Sequence, residues 1–174
     1  MYRPGRLACL ATAGVVLVLA LCLPSRAASP EDHPAVPAIL ASAESLFQSM
    51  KSRDYPAIFA GLTAKSRETI VAETASALAA EWTARPGIPP DPEAVRRDLA
   101  AGGPIAREYW DAFLRRFDPD LALERSRWEI GTVDTDKAEI LLTHHGADHP
   151  AVLEMFREDG GWKVGLVETF WKSR

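Results

Sequence analysis

Cysteine is nearly absent from this chain, and the few cysteines are all near its start. The chain has 174 residues, and its two cysteines, Cys9 and Cys22, both lie in the first apolar run. The remainder therefore has no disulfide and no thiol chemistry. The sequence also lacks a Ser/His/Asp arrangement, a phosphate-binding glycine loop and a dinucleotide fingerprint. We therefore expect no cofactor.

Basic residues are outnumbered by acidic ones. The chain has 20 Lys and Arg against 24 Asp and Glu, a formal charge of −4. The first 27 residues hold three arginines and no acid, so without them the basic residues fall from 20 to 17 and the charge falls from −4 to −7. Such an acidic chain is a poor candidate for nucleic acid, which leaves a small ligand or a protein as partner. The short basic clusters Arg115-Arg116 and Arg125 with Arg127 are interpreted as solvated surface.

The N-terminal segment has the pattern of a secretory signal. Arg3 and Arg6 precede a charge-free apolar run over 7–23, and Ser25-Arg26-Ala27 places small residues where a signal peptidase reads. We predict a signal peptide over 1–27, cleaved after Ala27. The alternatives are an uncleaved membrane anchor and a lipoprotein modified at Cys22.

The rest of the chain is predicted to be a linker and one domain. Three prolines make 28–37 an extended linker, and 38–174 has the length of a single domain. An exported chain without cysteine suits a bacterial periplasm or the extracellular space. Contact with a membrane is then expected only through the signal segment, if it stays uncleaved.

Helical spacing of apolar residues continues to about Phe117. Each stretch is bounded by a capping residue, a glycine or a proline. Asp91-Pro92 has the order of a helix start, while Asp118-Pro119 is interpreted as the end of the last helix. The helices are predicted over about 38–52, 55–62, 64–84, 92–101 and 104–117.

From Ser126 the apolar period changes from helical to two, which predicts four strands. Asp159-Gly160-Gly161 is the strongest hairpin signal. The last strand is predicted to continue to Phe170, with Glu168 at a position that the alternation directs inward. The predicted fold class is α+β, with N-terminal helices packed on a curved four-stranded antiparallel meander.

Two stretches carry a family resemblance. One is Met50-Lys51-Ser52-Arg53-Asp54-Tyr55, and the other is the hairpin Glu158-Asp159-Gly160-Gly161-Trp162-Lys163-Val164. With the helices-then-meander order, the chain from Ala35 to Trp171 resembles exported members of the NTF2-like (cystatin-like α+β) superfamily. The resemblance implies helices and a curved sheet that form a cone with an open mouth. Some members are small-molecule enzymes such as isomerases and dehydratases, and many others are binding or assembly domains.

The candidate pocket residues are Tyr109, Trp128, His144 and Glu168. His144 and Glu168 both continue an apolar strand face, and their strands run the same way, so both are expected near one end of the sheet. An acid, an imidazole and aromatic rings there would suit proton transfer on a small ligand, and no catalytic residue is more strongly indicated. The structural alternatives are a core tyrosine at Tyr109, and for the acid and imidazole a strand end that reaches solvent or a Glu168 paired with an arginine such as Arg107.

Histidines cluster in the turn after the second strand. His144-His145 and His149, with Asp148, offer imidazoles and a carboxylate to zinc or copper. Adjacent histidines point to opposite faces of a strand, so a solvated loop is favoured. No metal site is predicted, and His145 and His149 are only weak candidates.

We expect an exported binding module for a ligand or partner rather than an enzyme. One alternative is a small-molecule enzyme of isomerase, dehydratase or hydrolase type that uses Glu168 and His144. The other is an assembly module, a homodimer formed through the open face of the sheet.

Overall fold

The computed structural model describes residues 29–82 and 91–171. This part contains seven α-helices, four strands and a 3₁₀ turn at Pro30–Asp32. The predicted signal peptide and the end of the third predicted helix lie outside the described residues. In chain order the elements are α1 Val36–Ser52, α2 Tyr55–Gly61, α3 Ala64–Trp82, α4 Pro92–Ala101, α5 Pro104–Leu114, α6 Pro119–Leu123, β1 Ser126–Val133, β2 Lys137–His144, β3 Ala151–Glu158, β4 Gly161–Val164 and α7 Leu166–Phe170.

The strands form one antiparallel sheet in the order β1-β2-β3-β4. The hairpin between β3 and β4 turns at Asp159 and Gly160, whose φ values of 52° and 77° are those that a two-residue hairpin turn requires. A bulge interrupts β1 between Ile130 and Val133. Six of the helices precede the sheet, so the predicted α+β class and its antiparallel meander are confirmed.

The core lies between the helices and one face of the sheet. Ala138, Met155 and Val164 are in register across β2, β3 and β4, and all three are fully buried. Each large apolar side chain removed from water here stabilises the fold by about 1.5–3 kcal/mol before entropy is counted. The largest buried side chains are Trp110, Phe47, Ile39, Leu46, Met50, Ile58, Leu62, Ile70, Leu99, Ile140, Leu153 and Met155.

Aspartates placed before proline start two of the helices. Asp91 accepts a hydrogen bond from the Ala94 N–H over 2.6 Å, which caps α4 as predicted. Asp118 accepts from the Asp120 N–H over 3.0 Å and starts α6. The interpretation of Asp118-Pro119 as a helix end was therefore wrong: α5 ends at Leu114, and this pair begins a new helix. None of the helices in the described part of the chain is long and apolar enough to cross a membrane.

The last predicted strand is too long by six residues. β4 ends at Val164, and the chain continues as α7. Leu166 and Val167 are consecutive and both buried, which a strand with one solvated face does not allow. Gly165 marks the change, because its N–H donates to the Glu154 carbonyl over 2.8 Å while the next residues turn into the helix.

Candidate functional site

Glu168 is buried against the first turn of α3. Thr63 caps that helix, because its Oγ1 accepts from the Ser66 N–H over 3.1 Å. The Thr63 hydroxyl donates to Glu168 Oε1 over 3.0 Å, and the Ser66 hydroxyl donates to Oε2 over 2.7 Å. Ser66 Oγ also accepts from the Val167 N–H over 3.0 Å. Both carboxylate oxygens are thus engaged in holding α7 to α3.

Hydroxyl groups and a helix terminus stabilise this carboxylate, not the arginine that was the structural alternative. The positive end of the helix dipole favours an anion at the start of α3. A second acid is also bound there, since Glu158 Oε2 accepts from the Ala64 N–H over 2.8 Å. Arg107 lies elsewhere, where its Nε donates to the Gly102 carbonyl over 3.3 Å. The first turn of α3 is therefore occupied by the chain's own carboxylates.

Glu154 is a further buried acid close to α7. It is 3 % exposed, its backbone N–H donates to Thr169 Oγ1 over 3.0 Å, and its Oε2 lies 3.6 Å from Lys137 Nζ. Glu154 alternates with the core residues Leu153 and Met155 and therefore lies on the opposite face of β3, where α7 packs against the strand. Glu154 and Glu168 both line a cleft of about 400 Å³, together with Lys65, Phe156, Val167 and Trp171.

The structure does not bring Glu168 and His144 together. Val164, where β4 ends, is level with Ala138 across the sheet. His144 lies six residues beyond Ala138 along β2, which is about 20 Å from Ala138 at roughly 3.3 Å per residue. Its side chain is exposed, and its Nδ1 lies 3.1 Å from the Arg125 carbonyl. The acid and the imidazole are therefore not positioned to act on one ligand.

Trp128 is placed as a packing residue. Its Nε1 donates to the Ala122 carbonyl over 2.7 Å, and its ring meets Phe47 edge to face with centroids 5.7 Å apart. The hydrogen bond and the ring contact fix it between β1, α1 and α6. Both polar and apolar parts of this side chain are thus satisfied within the fold.

The histidine turn is solvent-exposed. His145, Asp148 and His149 are all exposed. Within residues 29–82 and 91–171, no three side chains of the types His, Cys, Asp and Glu are close enough to hold a metal ion together. The preference for a solvated loop stays a prediction, because no metal has been offered to these residues.

A cleft of about 520 Å³ lies between α5 and the C-terminal end of α7. Its wall continues into the core through ring contacts: Phe113 and Phe117 have centroids 5.5 Å apart, and Phe117 stacks on Phe47 at 5.9 Å. Phe170 is half exposed at its edge. We call this site the aromatic cleft. Its lining residues are Tyr109, Ala112, Phe113, Arg115, Arg116, Phe117, Phe170 and Trp171.

Two cations stand at the aromatic cleft. Arg115 and Arg116 directly follow α5, and both side chains are exposed. Neither forms an ion pair or a side-chain hydrogen bond with a described residue. A guanidinium that lacks a carboxylate within the protein is available to a ligand carboxylate, which its planar fork can bind through two hydrogen bonds.

Tyr109 separates this cationic cleft from an acidic groove. Burial raises its pKa to about 12, and the nearby Glu73 carboxylate adds to the increase. The phenol is therefore neutral at physiological pH. On its other side, α3 and α5 form a groove whose acids are Glu73, Glu81 and Glu108. An anion is thus favoured only on the arginine side of Tyr109.

Only Tyr109, of the four predicted pocket residues, lines the aromatic cleft. Sequence reasoning missed Phe170, because it was assigned to a strand, and Arg115-Arg116, because nothing in the local pattern places them beside α7. The available signal was an aromatic stripe on α5 followed by two arginines. No protein-family model, curated protein or solved structure matches this chain. The chemistry of the cleft is therefore the guide to what it binds.

Proposed function

We propose that this chain is an exported ligand-binding domain of the NTF2-like type, and that the aromatic cleft binds a small amphipathic anion. The ligand class is an aromatic or aliphatic carboxylate or sulfonate. The observation that carries the proposal is the pair Arg115 and Arg116, which stands without carboxylate partners among the described residues at a cleft walled by aromatic rings.

The body of the ligand is indicated by the walls. A volume of about 520 Å³ is within the range of roughly 300–1,000 Å³ that small-molecule sites occupy. Phe113 and Phe117 are held by neighbouring rings, so this wall is formed before any ligand arrives. Aromatic walls favour an apolar ring or chain, which gains from burial and from ring contacts.

The charge of the ligand is indicated by the rim. The chain as a whole is acidic, with a formal charge of −4, so an anion is repelled by most of its surface. The two arginines reverse that sign locally. Tyr109 lines the same cleft and, as a neutral phenol, adds no negative charge there. An amphipathic anion is thus matched at its apolar end and at its charged end.

Export and family are parts of the same proposal. The basic residues Arg3 and Arg6, the charge-free run over 7–23 and the small residues before Ala28 support a secretory signal. Helices followed by a four-stranded antiparallel meander support the NTF2-like type. Binding is favoured over catalysis because Glu168 and His144 lie apart and both oxygens of Glu168 accept hydrogen bonds from the fold.

Titration with 8-anilinonaphthalene-1-sulfonate tests the proposal, since this probe is an aromatic sulfonate whose fluorescence rises in apolar sites. The variant Arg115→Ala with Arg116→Ala is compared with Arg97→Ala with Arg125→Ala, which also removes two exposed arginines but outside the cleft. We expect at least about tenfold weaker binding for the first pair and less than about twofold for the second.

Competition experiments define the ligand class. 2-Naphthoate should displace the probe, while the neutral 2-naphthamide, of nearly the same shape, should displace it at least about tenfold less well. Equal displacement by the two compounds, or equal probe affinity in both arginine variants, would show that the arginines do not select an anion and would defeat the proposal.

A further inference from the structure

The sheet has two edges, and among the described residues only one of them forms main-chain hydrogen bonds with a neighbouring segment. At the β4 edge, Leu62 forms a parallel bridge with Val164, and the Thr63 N–H donates to the Val164 carbonyl over 3.1 Å. Lys163 Nζ also donates to the Ala60 carbonyl over 2.8 Å. The opposite edge is β1, eight residues long, which pairs only with β2 in the part of the chain that the structure describes.

The pairing of β3 determines which main-chain groups of β1 face outward. The Gly165 N–H donates to the Glu154 carbonyl, so the main chain of Glu154 faces β4 and that of each neighbour faces β2. Opposite residues of an antiparallel pair either exchange hydrogen bonds or both face away. Carried through β2 to β1, this alternation leaves the N–H and C=O groups of Ser126, Trp128 and Ile130 facing outward. No described residue bonds to these groups.

We propose that β1 is a self-association edge that pairs antiparallel with β1 of a second copy of this chain. The pair is centred on Trp128, which exchanges two main-chain hydrogen bonds with Trp128 of the second copy. Ser126 is then opposite Ile130 of the second copy. A two-fold axis perpendicular to the sheet relates the two chains and makes the sheet continuous across them.

Charge selects this register. With Trp128 at the centre, Arg127 lies opposite Glu129 of the second copy, and Glu129 opposite its Arg127. These are non-hydrogen-bonded positions, where side chains approach most closely. Arg127 is exposed and Glu129 is partly buried, and their side chains lie on the sheet face opposite that of Trp128, 3.0 Å apart within the strand. Two copies therefore form an alternating group of four charges without any conformational change.

Edge strands often have features that prevent pairing with another chain, such as bulges and charges, and β1 has a bulge. The bulge between Ile130 and Val133 ends regular pairing on one side. Charges of one sign would complete the protection by repelling a second copy. Here the two charges are opposite and lie symmetrically about Trp128, so they attract it. The five residues from Ser126 to Ile130 thus remain a short edge suited to weak, reversible pairing.

Besides β2 and α6, the Pro30–Asp32 turn lies beside this strand. It contacts β1 but exchanges no main-chain hydrogen bond with it. A second copy is favoured as the partner, because it supplies both the main-chain groups and the opposite charges that the edge requires. Coverage of the edge by a segment of the same chain is a separate outcome of the test below.

Sedimentation velocity of the domain, from about 5 to about 500 µM, measures the association. We expect a reversible monomer–dimer equilibrium that weakens with added salt. Arg127→Glu places Glu opposite Glu at two positions and should weaken dimerisation at least about tenfold. The exchange Arg127→Glu with Glu129→Arg restores opposite charges across the pair and should restore the dimer. A wild-type protein that stays monomeric throughout, or a dimer indifferent to Arg127→Glu, overturns the proposal.

Amide hydrogen exchange locates the contact. The amides of Ser126, Trp128 and Ile130 should gain protection as concentration rises, while those of Arg127 and Glu129, which face β2, should not change. If the three outward amides are protected at every concentration, a segment of the same chain covers the edge. If other amides of the sheet gain protection with concentration and these three do not, the two copies pair face to face. Either result rejects the edge dimer. Circular dichroism of each variant confirms that the monomer is folded.

Discussion

The hydroxyl of Ser66 lies 2.7 Å from a carboxylate oxygen of Glu168, although 102 positions separate them along the chain. This contact joins the first turn of the longest described helix to the last described helix. Ser66 Oγ also accepts a hydrogen bond from the Val167 N–H. One serine side chain therefore binds both a side chain and a main-chain group of α7. The acid that sequence alternation singled out is thus a structural acceptor.

Replacing Glu168 should reveal this role in the free energy of unfolding. Glu168→Ala leaves two buried hydroxyls without their acceptor and should cost about 3 kcal/mol. Glu168→Gln keeps one acceptor, loses the charge favoured by the α3 dipole, and should cost about 1–2 kcal/mol. The exposed Glu68→Gln is the control and should change stability by less than about 0.5 kcal/mol. Urea unfolding measures all three, and a Glu168→Ala midpoint equal to that of the control contradicts the structural role.

Gly165 is required by close packing rather than by an unusual backbone angle. A Cβ on this residue would lie 2.7 Å from Phe156 Cε2 and 3.0 Å from Glu168 Cβ. Gly165→Ala should therefore cost about 1–3 kcal/mol, and the smaller ring-free side chain of Phe156→Leu should recover part of the loss. At Gly161 a Cβ finds its nearest neighbour at 3.9 Å, so Gly161→Ala is the matched control. Equal costs for the two glycines would disprove the steric account.

Phe170 should contribute to ligand binding more than to stability. Its side chain is 50 % exposed at the rim of the aromatic cleft, so Phe170→Ala should change the free energy of unfolding by less than about 1 kcal/mol. Binding of the anilinonaphthalene sulfonate should weaken about fivefold through the lost apolar contact. Val152→Ala, at an exposed apolar residue on the sheet, should leave the affinity unchanged. If both variants bind like wild type, the probe occupies another site.

Alkaline titration should separate Tyr109 from an ordinary tyrosine. Its folded-state pKa of about 12 exceeds the unfolded value of about 10, so the folded state favours the neutral phenol. This contribution to stability is complete below pH 10 and is lost as the pH rises towards 12. We expect a loss of about 1–2 kcal/mol over that interval, and Tyr109→Phe should reduce it. Burial and the Asp111 contact also raise the pKa of Tyr55. A phenolate absorbance transition centred at pH 10 for both residues would contradict the upward direction of both pKa shifts.

Processing of the N-terminus tests the proposed export. Mass spectrometry of protein collected outside the cytoplasm should show a chain that begins at Ala28 or within a few residues of it. Replacing Ala27 with a bulky residue such as Phe should block or displace the cleavage, because the peptidase site accepts small side chains. Membrane-bound protein that still carries Met1 argues against a cleaved, exported domain.

Local signals predicted most of the helices and strands. Some signals act only on residues close to them in the sequence, so they can be interpreted without knowledge of the fold. Examples are the helix caps Asp54 and Asp91 and the Asp159-Gly160 hairpin turn. Asp118-Pro119 shows the limit of such a signal, since the same pair can follow one helix and begin another. The Asp-Pro pair at the start of α4 indicates that Asp118-Pro119 is also able to begin a helix.

Long-range packing determined what the sequence did not reveal. Leu166, Glu168 and Phe170 fit strand alternation as well as a short helix, and the contacts that select the helix come from Thr63 and Ser66, about a hundred residues earlier. The aromatic cleft depends on that same choice, because Phe170 reaches α5 only when the chain turns at Gly165. A sequence pattern confined to a few neighbours does not contain this information.

The bond between α3 and α7 also bears on the order in which the chain can fold. During synthesis the first turn of α3 emerges long before Glu168 exists, so its buried hydroxyls lack their acceptor until nearly all of the domain has been made. Contacts that join such distant residues form late, because closing a long loop comes before any gain from the contact. The nascent chain is thereby kept from completing its fold early, which fits the proposed export, because a chain threaded through a membrane must not yet be compact.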